Sequence, residues 1–257
     1  MRVTILGSGT VVADAARVCA SCYVEAGDSA HPVRLLLDCG PGATHRMAGL
    51  GIDWPSLSHV AITHFHTDHI GDLPYLFFAL TYGLAQPRSE PLALFGPAGT
   101  MVRLRALADG LGSFMLHPGV RLNVHELGGG HEADLESGIR IRAYRTLHTD
   151  ESIAYRVETN AGVLGYTGDT GPDPELGRWL RGVHTLVTEC SLPDDAAVDR
   201  HLTPATVTEL ARTAAPERLV LTHVYPQLDR RALPSLVAAA GWTGGVIVAE
   251  DGTSLEV

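Results

Sequence analysis

Lysine is absent from this chain. All 19 basic residues are arginine, 29 residues are acidic, and the formal net charge is -10. A protein that grips a long nucleic acid carries a basic patch or stripe, so this balance argues against a large nucleic acid as partner and suits a small substrate. Cysteine is scarce, with four in 257 residues. Cys19 and Cys22 form a lone C-x-x-C, whereas a thiolate zinc site needs a second pair; Cys39 and Cys190 are isolated singles. All four read as small buried thiols. No apolar run is long enough to cross a bilayer, so no membrane partner is expected. No linker, low-complexity tract or repeat marks a boundary, and residues 1–257 read as a single domain. The opening Met1-Arg2-Val3-Thr4-Ile5-Leu6 reads as a first strand. It lacks the apolar region and cleavage site of a signal peptide, which places the protein in the cytoplasm, where disulfides are not expected.

What is present is enough apolar material, 45% of the chain, to bury a full core. Short β-rich runs alternate with helical patterns. Strands are predicted over 3–7, 34–38, 60–63, 91–95, 121–127, 138–147, 153–159, 163–167, 185–188 and 218–222. Within one of them, Ile139-Arg140-Ile141-Arg142-Ala143-Tyr144 alternates apolar and polar residues as a half-buried strand does. One helix is predicted after Asp72, its N-cap, with Pro74 in the first turn. Others are predicted over 99–108, 174–181, 204–214 and 232–240. The end, 245–257, reads as a hairpin turning at Asp251-Gly252. Each half places strands first and helices later. That order suits an α/β fold, a four-layer sandwich of two mixed sheets covered by helices.

The apolar strand Val60-Ala61-Ile62-Thr63 runs directly into His64-Phe65-His66-Thr67-Asp68-His69. Burying so many polar heads unpaired costs several kcal/mol, and a bound metal ion compensates. His64 and His66 point the same way in an extended segment and can share one ion. Asp68 and His69 lie past the bend and can reach a second. Imidazole and carboxylate without thiolate suit zinc, manganese or iron(II), with zinc the default. Three more candidates sit at strand ends. His148 follows the alternating strand, Asp169 follows a strand running into a glycine turn, and His223 follows Arg218-Leu219-Val220-Leu221-Thr222. Loops just past strand ends are where α/β proteins place catalytic groups.

In this order the motifs resemble the metallo-β-lactamase fold superfamily, and within it the ribonuclease Z branch, over nearly the whole chain. Leu6-Gly7-Ser8-Gly9-Thr10 is similar to the branch's first-strand turn. Leu37-Asp38-Cys39-Gly40 is similar to its second-strand signature, whose aspartate supports the metal loop. His148 with Ser152-Ile153-Ala154-Tyr155-Arg156 resembles its third histidine motif, and Thr167-Gly168-Asp169-Thr170 its bridging-aspartate motif. The resemblance implies an αββα fold and two divalent metal ions. It assigns His64, His66 and His148 to one ion and Asp68, His69 and His223 to the other, with Asp169 between them. It also implies catalytic roles for Asp68, which with Asp169 would orient the nucleophile, and for Glu189 and His201. In this branch such a glutamate and non-ligand histidine donate a proton to the leaving group. A carboxylate behind an imidazole raises its pKa and fixes its orientation, which suits a general acid. A homodimer is implied by the same analogy.

Two features depart from the branch. Ribonuclease Z proteins that process tRNA carry a long arm where this chain has only the short stretch from Arg156 to Gly168. Val224-Tyr225-Pro226-Gln227 replaces a serine-arginine-tyrosine pattern. The expected activity is therefore phosphodiester hydrolysis on small substrates, such as cyclic nucleotides or short oligonucleotides. The alternatives are tRNA 3′ processing, a lactonase or β-lactamase reaction on the same fold, and a non-catalytic metal-holding module. The remaining histidines, at 31, 45, 59, 117, 125, 131 and 184, read as structural or solvent-facing. Gly128-Gly129-Gly130 reads as a flexible turn, and Phe77, Phe78, Tyr82 and Phe114 as helix packing.

Overall fold

The computed structural model describes residues 1–28 and 31–257. Strands β1 (Arg2–Gly7), β2 (Ser21–Ala26), β3 (Val33–Leu37), β4 (His59–Ala61), β5 (Leu92–Gly96) and β6 (Leu122–Glu126) make one sheet. Strands β7 (Glu132–Asp134), β8 (Arg140–Arg145), β9 (Ile153–Glu158), β10 (Val163–Tyr166), β11 (Thr185–Glu189), β12 (Arg218–Thr222) and β13 (Gly245–Val248) make a second. The last strand, β14 (Ser254–Glu256), returns to the first, giving the orders β14-β1-β2-β3-β4-β5-β6 and β13-β12-β11-β10-β9-β8-β7.

Side-chain alternation sets the layers. On β3, Leu35 and Leu37 enter the core between the sheets, while Leu36 enters the core on the other face. On β12, Val220 joins the central core and its neighbours Leu219 and Leu221 the outer one. A period of two puts adjacent residues on opposite faces, so a strand buried on both sides reads as continuously apolar. Helices α1 (Ala43–Gly49), α2 (Thr67–Ile70), α3 (Leu73–Tyr82) and α4 (Thr100–Leu111) lie in the first half of the chain. Of these, α1, α3 and α4 send buried residues into the outer core of the first sheet. Helices α5 (Pro174–Trp179), α6 (Pro204–Ala214) and α7 (Leu233–Ala239) do the same on the second. Helix α6 shows why: Val207, Leu210, Ala211 and Ala214 form one apolar stripe at helical spacing. Thr203 caps its start in a capping box with Thr206. The result is the four-layer αββα sandwich that the strand and helix order suggested.

Both sheets are parallel where it matters for the site. Strands β3 to β6 run parallel, as do β10 to β13. Among the described residues no helix is long and apolar enough to cross a membrane.

The expected C-terminal hairpin does not form. β13 pairs with β12 in the second sheet and β14 with β1 in the first, so the turn at 249–253 carries the chain between sheets. Thr253 N closes the turn on Glu250 O at 2.9 Å, while Ala249 N donates to Leu221 O and Gly252 N to Ile5 O, each at 2.8 Å, tying it to both sheets. Asp72 precedes α3 as expected, but its carboxylate does not cap that helix. It accepts the Thr44 N–H at 2.7 Å, in the first turn of α1. Strands β2 and β7 and helices α1 and α2 are additions to the predicted set.

Candidate metal centre

The candidate residues gather at the C-terminal ends of strands. After β4 the chain stays extended to His66 (φ -63°, ψ 146°) and then turns into the single helical turn α2, which brings Asp68 and His69 back towards the strand end. Cys39 N donates to His69 O at 2.7 Å and fixes that turn. His148 lies just past β8, Glu189 is the last residue of β11, and His223 follows β12 directly with φ 54°. Asp169 follows β10 through Gly168. That glycine has φ +56°, and a Cβ there would meet the Thr63 side chain at 2.7 Å, so both conformation and space demand glycine.

The residues form two adjoining groups. Ligand atoms of His64, His66, His148 and Asp169 all lie within 4.8 Å of one another, and those of Asp68, His69 and His223 do likewise. His148 Nε2 stands 3.0 Å from His66 Nδ1, although 82 residues separate them. Asp169 reaches both groups: Oδ2 is 3.7 Å from His148 Nε2 and 4.0 Å from His64 Nε2, and Oδ1 is 3.3 Å from His69 Nε2. His223 Nε2 is 3.3 Å from Asp68 Oδ2. His64 Nε2, His69 Nε2 and Asp169 Oδ1 are buried and have no hydrogen-bond partner. Orphaned polar atoms at such depth are costly, and here three of them face one space. A divalent cation satisfies them all, so the residues present fit a metal.

A second layer of contacts aims the candidate ligands. His69 Nδ1 donates to Asp38 Oδ2 at 2.8 Å, His148 Nδ1 to Arg200 O at 2.9 Å, and His64 Nδ1 to Thr63 Oγ1 at 3.1 Å. Each acceptor holds the proton on Nδ1 and leaves the Nε2 lone pair turned towards the cleft. Burial drives the His64 pKa well below the usual histidine value, which keeps its ring neutral and able to ligate. Asp38 also accepts from Thr63 N at 2.7 Å and from Tyr166 OH at 2.9 Å, so it knits β3, the histidine run and β10 together.

Glu189 and His201 meet as the resemblance implied. His201 Nδ1 lies 3.1 and 3.0 Å from the two Glu189 oxygens. Burial alone lowers the His201 pKa, but the hydrogen bond and charge of Glu189 outweigh it and hold the pKa above the ordinary value. Glu189 is itself buried, and accepts from Thr170 N at 2.7 Å, Leu202 N at 3.2 Å and the Ser191 hydroxyl. His201 stands against the ligand set, with its ring 4.9 Å from that of His148, and its ligand atom groups with those of Asp169 and His223.

Sequence reasoning missed two contributors. Ser191 links His223 Nδ1, at 3.1 Å, to Glu189. Arg200 donates from Nη1 to His148 O at 2.7 Å while its carbonyl holds the same histidine's ring. Their only sequence signal is proximity to Glu189 and His201. The cysteines take no part among these contacts and are free thiols. Cys22, Cys39 and Cys190 are buried, and Cys19, half-buried, donates to Thr10 O while burial raises its pKa to about 11. Among the other histidines, His184 Nδ1 accepts Val163 N at 3.0 Å and His59 is buried against Ser58, both structural contacts.

Comparison with known proteins agrees with this geometry. The family profile of the β-lactamase superfamily domain matches residues 33–224. Ribonuclease Z of Mycolicibacterium paratuberculosis is 31% identical over 251 residues, covering 89% of this chain and 87% of the relative. Among solved structures, the metallo-β-lactamase fold protein YhfI of Bacillus subtilis superposes with a TM-score of 0.84 at 20% identity, covering 99% and 98% of the two chains. A diphosphatase from the PhnP family gives a TM-score of 0.71 at 21% identity, covering 100% and 97%. By the profile match and the ribonuclease Z relative together, this chain belongs to the metallo-β-lactamase superfamily of hydrolases, in its ribonuclease Z-like branch.

Proposed function

We propose that this enzyme is a dinuclear metal-dependent phosphodiesterase acting on small phosphodiesters, cyclic nucleotides and short oligonucleotides among them. The carrying observation is the His201–Glu189 pair. It sits beside the ligand cluster, and its imidazole is held by a carboxylate that raises its pKa and so favours the protonated ring. His64, His66 and His148 would hold one ion and Asp68, His69 and His223 the other, with Asp169 serving both; zinc is the default for these donors, manganese and iron(II) the alternatives. When bound, adjacent ions supply Lewis acidity and positive charge for in-line displacement at phosphorus. The chain's own groups do the rest. Asp68 and Asp169 present carboxylate oxygens that orient the attacking water. Glu189 aims His201, which delivers its proton to the departing oxygen. A homodimer accompanies this reading by analogy.

The 31% identity to a ribonuclease Z favours a second reading, tRNA 3′ processing. Against it stand the net charge of -10 and the tight connection between β9 and β10, only residues 159–162, where a tRNA-binding arm would emerge. A panel of 2′,3′- and 3′,5′-cyclic nucleotides, nitrophenyl phosphodiesters, lactones and a tRNA precursor tests these readings together. Turnover of the phosphodiesters supports the first; turnover of lactones alone moves the assignment to a lactonase.

A further inference from the structure

The segment after His223 departs from the pattern of the branch, and the proposed reaction leaves it unused. Residues 224–231 face the loop 9–17 across a cavity of about 620 Å3, within the range of small-molecule pockets. Thr10, Val12 and Ala13 line one wall; Tyr225, Gln227 and Leu228 line the other. Both walls are braced. The Asp251 carboxylate accepts from Ser8 N and Oγ at 2.9 Å and from Val18 N at 2.8 Å. Tyr225 N donates to Ser191 O at 3.1 Å, and Leu228 N to Tyr225 O at 3.0 Å. A braced cavity needs little ordering when a ligand enters.

Tyr225 joins this cavity to the metal cleft. Its ring stands 5.6 Å from that of His223 and 6.0 Å from that of His201, edge-on to both. On the opposite segment Val12 is 42% exposed, an aliphatic side chain open to the same space. The charged groups around the cavity largely cancel. Arg17 pairs with Asp14 at 2.9 Å and Glu250 at 2.8 Å, and Arg230 lies 3.5 Å from Glu250. An aromatic ring, an aliphatic wall and little surplus charge suit a flat, neutral heteroaromatic group, with the exposed Gln227 offering hydrogen bonds at its edge.

We propose that this cavity binds the nucleoside of a nucleotide phosphodiester, with the base stacked on Tyr225 while the phosphodiester reaches the metal cleft. This rests on the phosphodiesterase reading and names the group that the substrate carries.

The test compares two esters with the same leaving group, thymidine 5′-p-nitrophenyl phosphate and methyl p-nitrophenyl phosphate. The nucleoside ester should have a KM lower by about tenfold or more, the scale of one base–aromatic stack. Tyr225→Ala should erase that advantage and Tyr225→Phe should keep it, because the ring face and not the hydroxyl is used. Ala13→Trp, on the exposed opposite loop, should fill the cavity and likewise bring the KM ratio to about 1. It serves if Tyr225→Ala fails to fold. Calorimetric binding of thymidine 5′-monophosphate against methyl phosphate to the zinc-loaded protein gives a readout without turnover. Equal KM values in the unmodified enzyme, or an advantage that survives both Tyr225→Ala and Ala13→Trp, overturn the cavity assignment and leave the phosphodiesterase standing. Tyr225-dependent binding of the monophosphate without cleavage of either ester keeps the cavity and overturns the phosphodiesterase. Neither cleavage nor preferential binding overturns both.

Discussion

The Asp38 carboxylate and the His69 imidazole meet at 2.8 Å, both fully buried, with Asp38 held at φ 56°. A residue other than glycine keeps a left-handed conformation only when its surroundings repay the strain. Here the repayment is a carboxylate placed among His69, Thr63 and Tyr166. Asp38→Asn keeps the shape and removes the charge behind His69. Metal affinity should fall about 10- to 100-fold, as it does when such outer partners are changed. Zinc competition against a chromophoric chelator measures it, and unchanged affinity would deny Asp38 this supporting role.

Removing metal should cost stability as well as activity, because His64 Nε2, His69 Nε2 and Asp169 Oδ1 are then left buried without partners. With free zinc about a thousandfold above its dissociation constant, each ion adds about 4 kcal/mol. Chelation should therefore lower the melting temperature by many degrees, and zinc or manganese should restore it. Elemental analysis should find two ions per chain, and fewer in His64→Ala, Asp169→Ala and His223→Ala. A melting temperature insensitive to chelator would count against a metal centre at this site.

His201→Ala should slow hydrolysis of esters with poor leaving groups by about a hundredfold or more, with metal content unchanged. The loss should shrink for nitrophenyl esters, which depart without a proton. The pH profile follows from the raised His201 pKa. In the proposed role the protonated ring is the active form, so activity that depends on it should persist above the ordinary histidine pKa and fall as pH rises through the raised value. Glu189→Gln removes the charge that raises it and should move that fall to lower pH. Equal losses for good and poor leaving groups would remove His201 from this role.

Catalytic efficiency on a tRNA precursor should be far below that on a cyclic nucleotide or a nitrophenyl phosphodiester at equal low salt. The net charge of -10 repels a polyanion, and no arm extends between β9 and β10 to supply phosphate contacts. Efficient, position-specific cleavage of the precursor would restore tRNA processing as the function.

Much of the site was legible along the chain because ligand chemistry is local. A run of His64, His66, Asp68 and His69 after an apolar strand points to a metal by residue type and spacing, whereas Asp169 and His223, single polar residues at apolar strand ends, joined the candidate set only together with that run and through the family resemblance. Layering was legible for a similar reason, since Leu35, Leu36 and Leu37 must alternate between faces whatever they pack against. The partners across the fold were not. The turn signal at Asp251-Gly252 is genuine, yet it serves a crossing between sheets, because each flanking strand pairs with a different sheet edge, β13 with β12 and β14 with β1. Asp72 stands where a cap belongs, yet its carboxylate accepts the Thr44 N–H of α1, a partner 28 residues away in sequence. Ser191, Arg200 and the cavity between Thr10 and Tyr225 likewise depend on segments far apart in sequence. Sequence by itself determined which atoms can hold metal and which faces are apolar, because both follow from each residue and its close neighbours. Only the tertiary structure decided which of those atoms meet, because hydrogen bonding and burial are satisfied by neighbours in space.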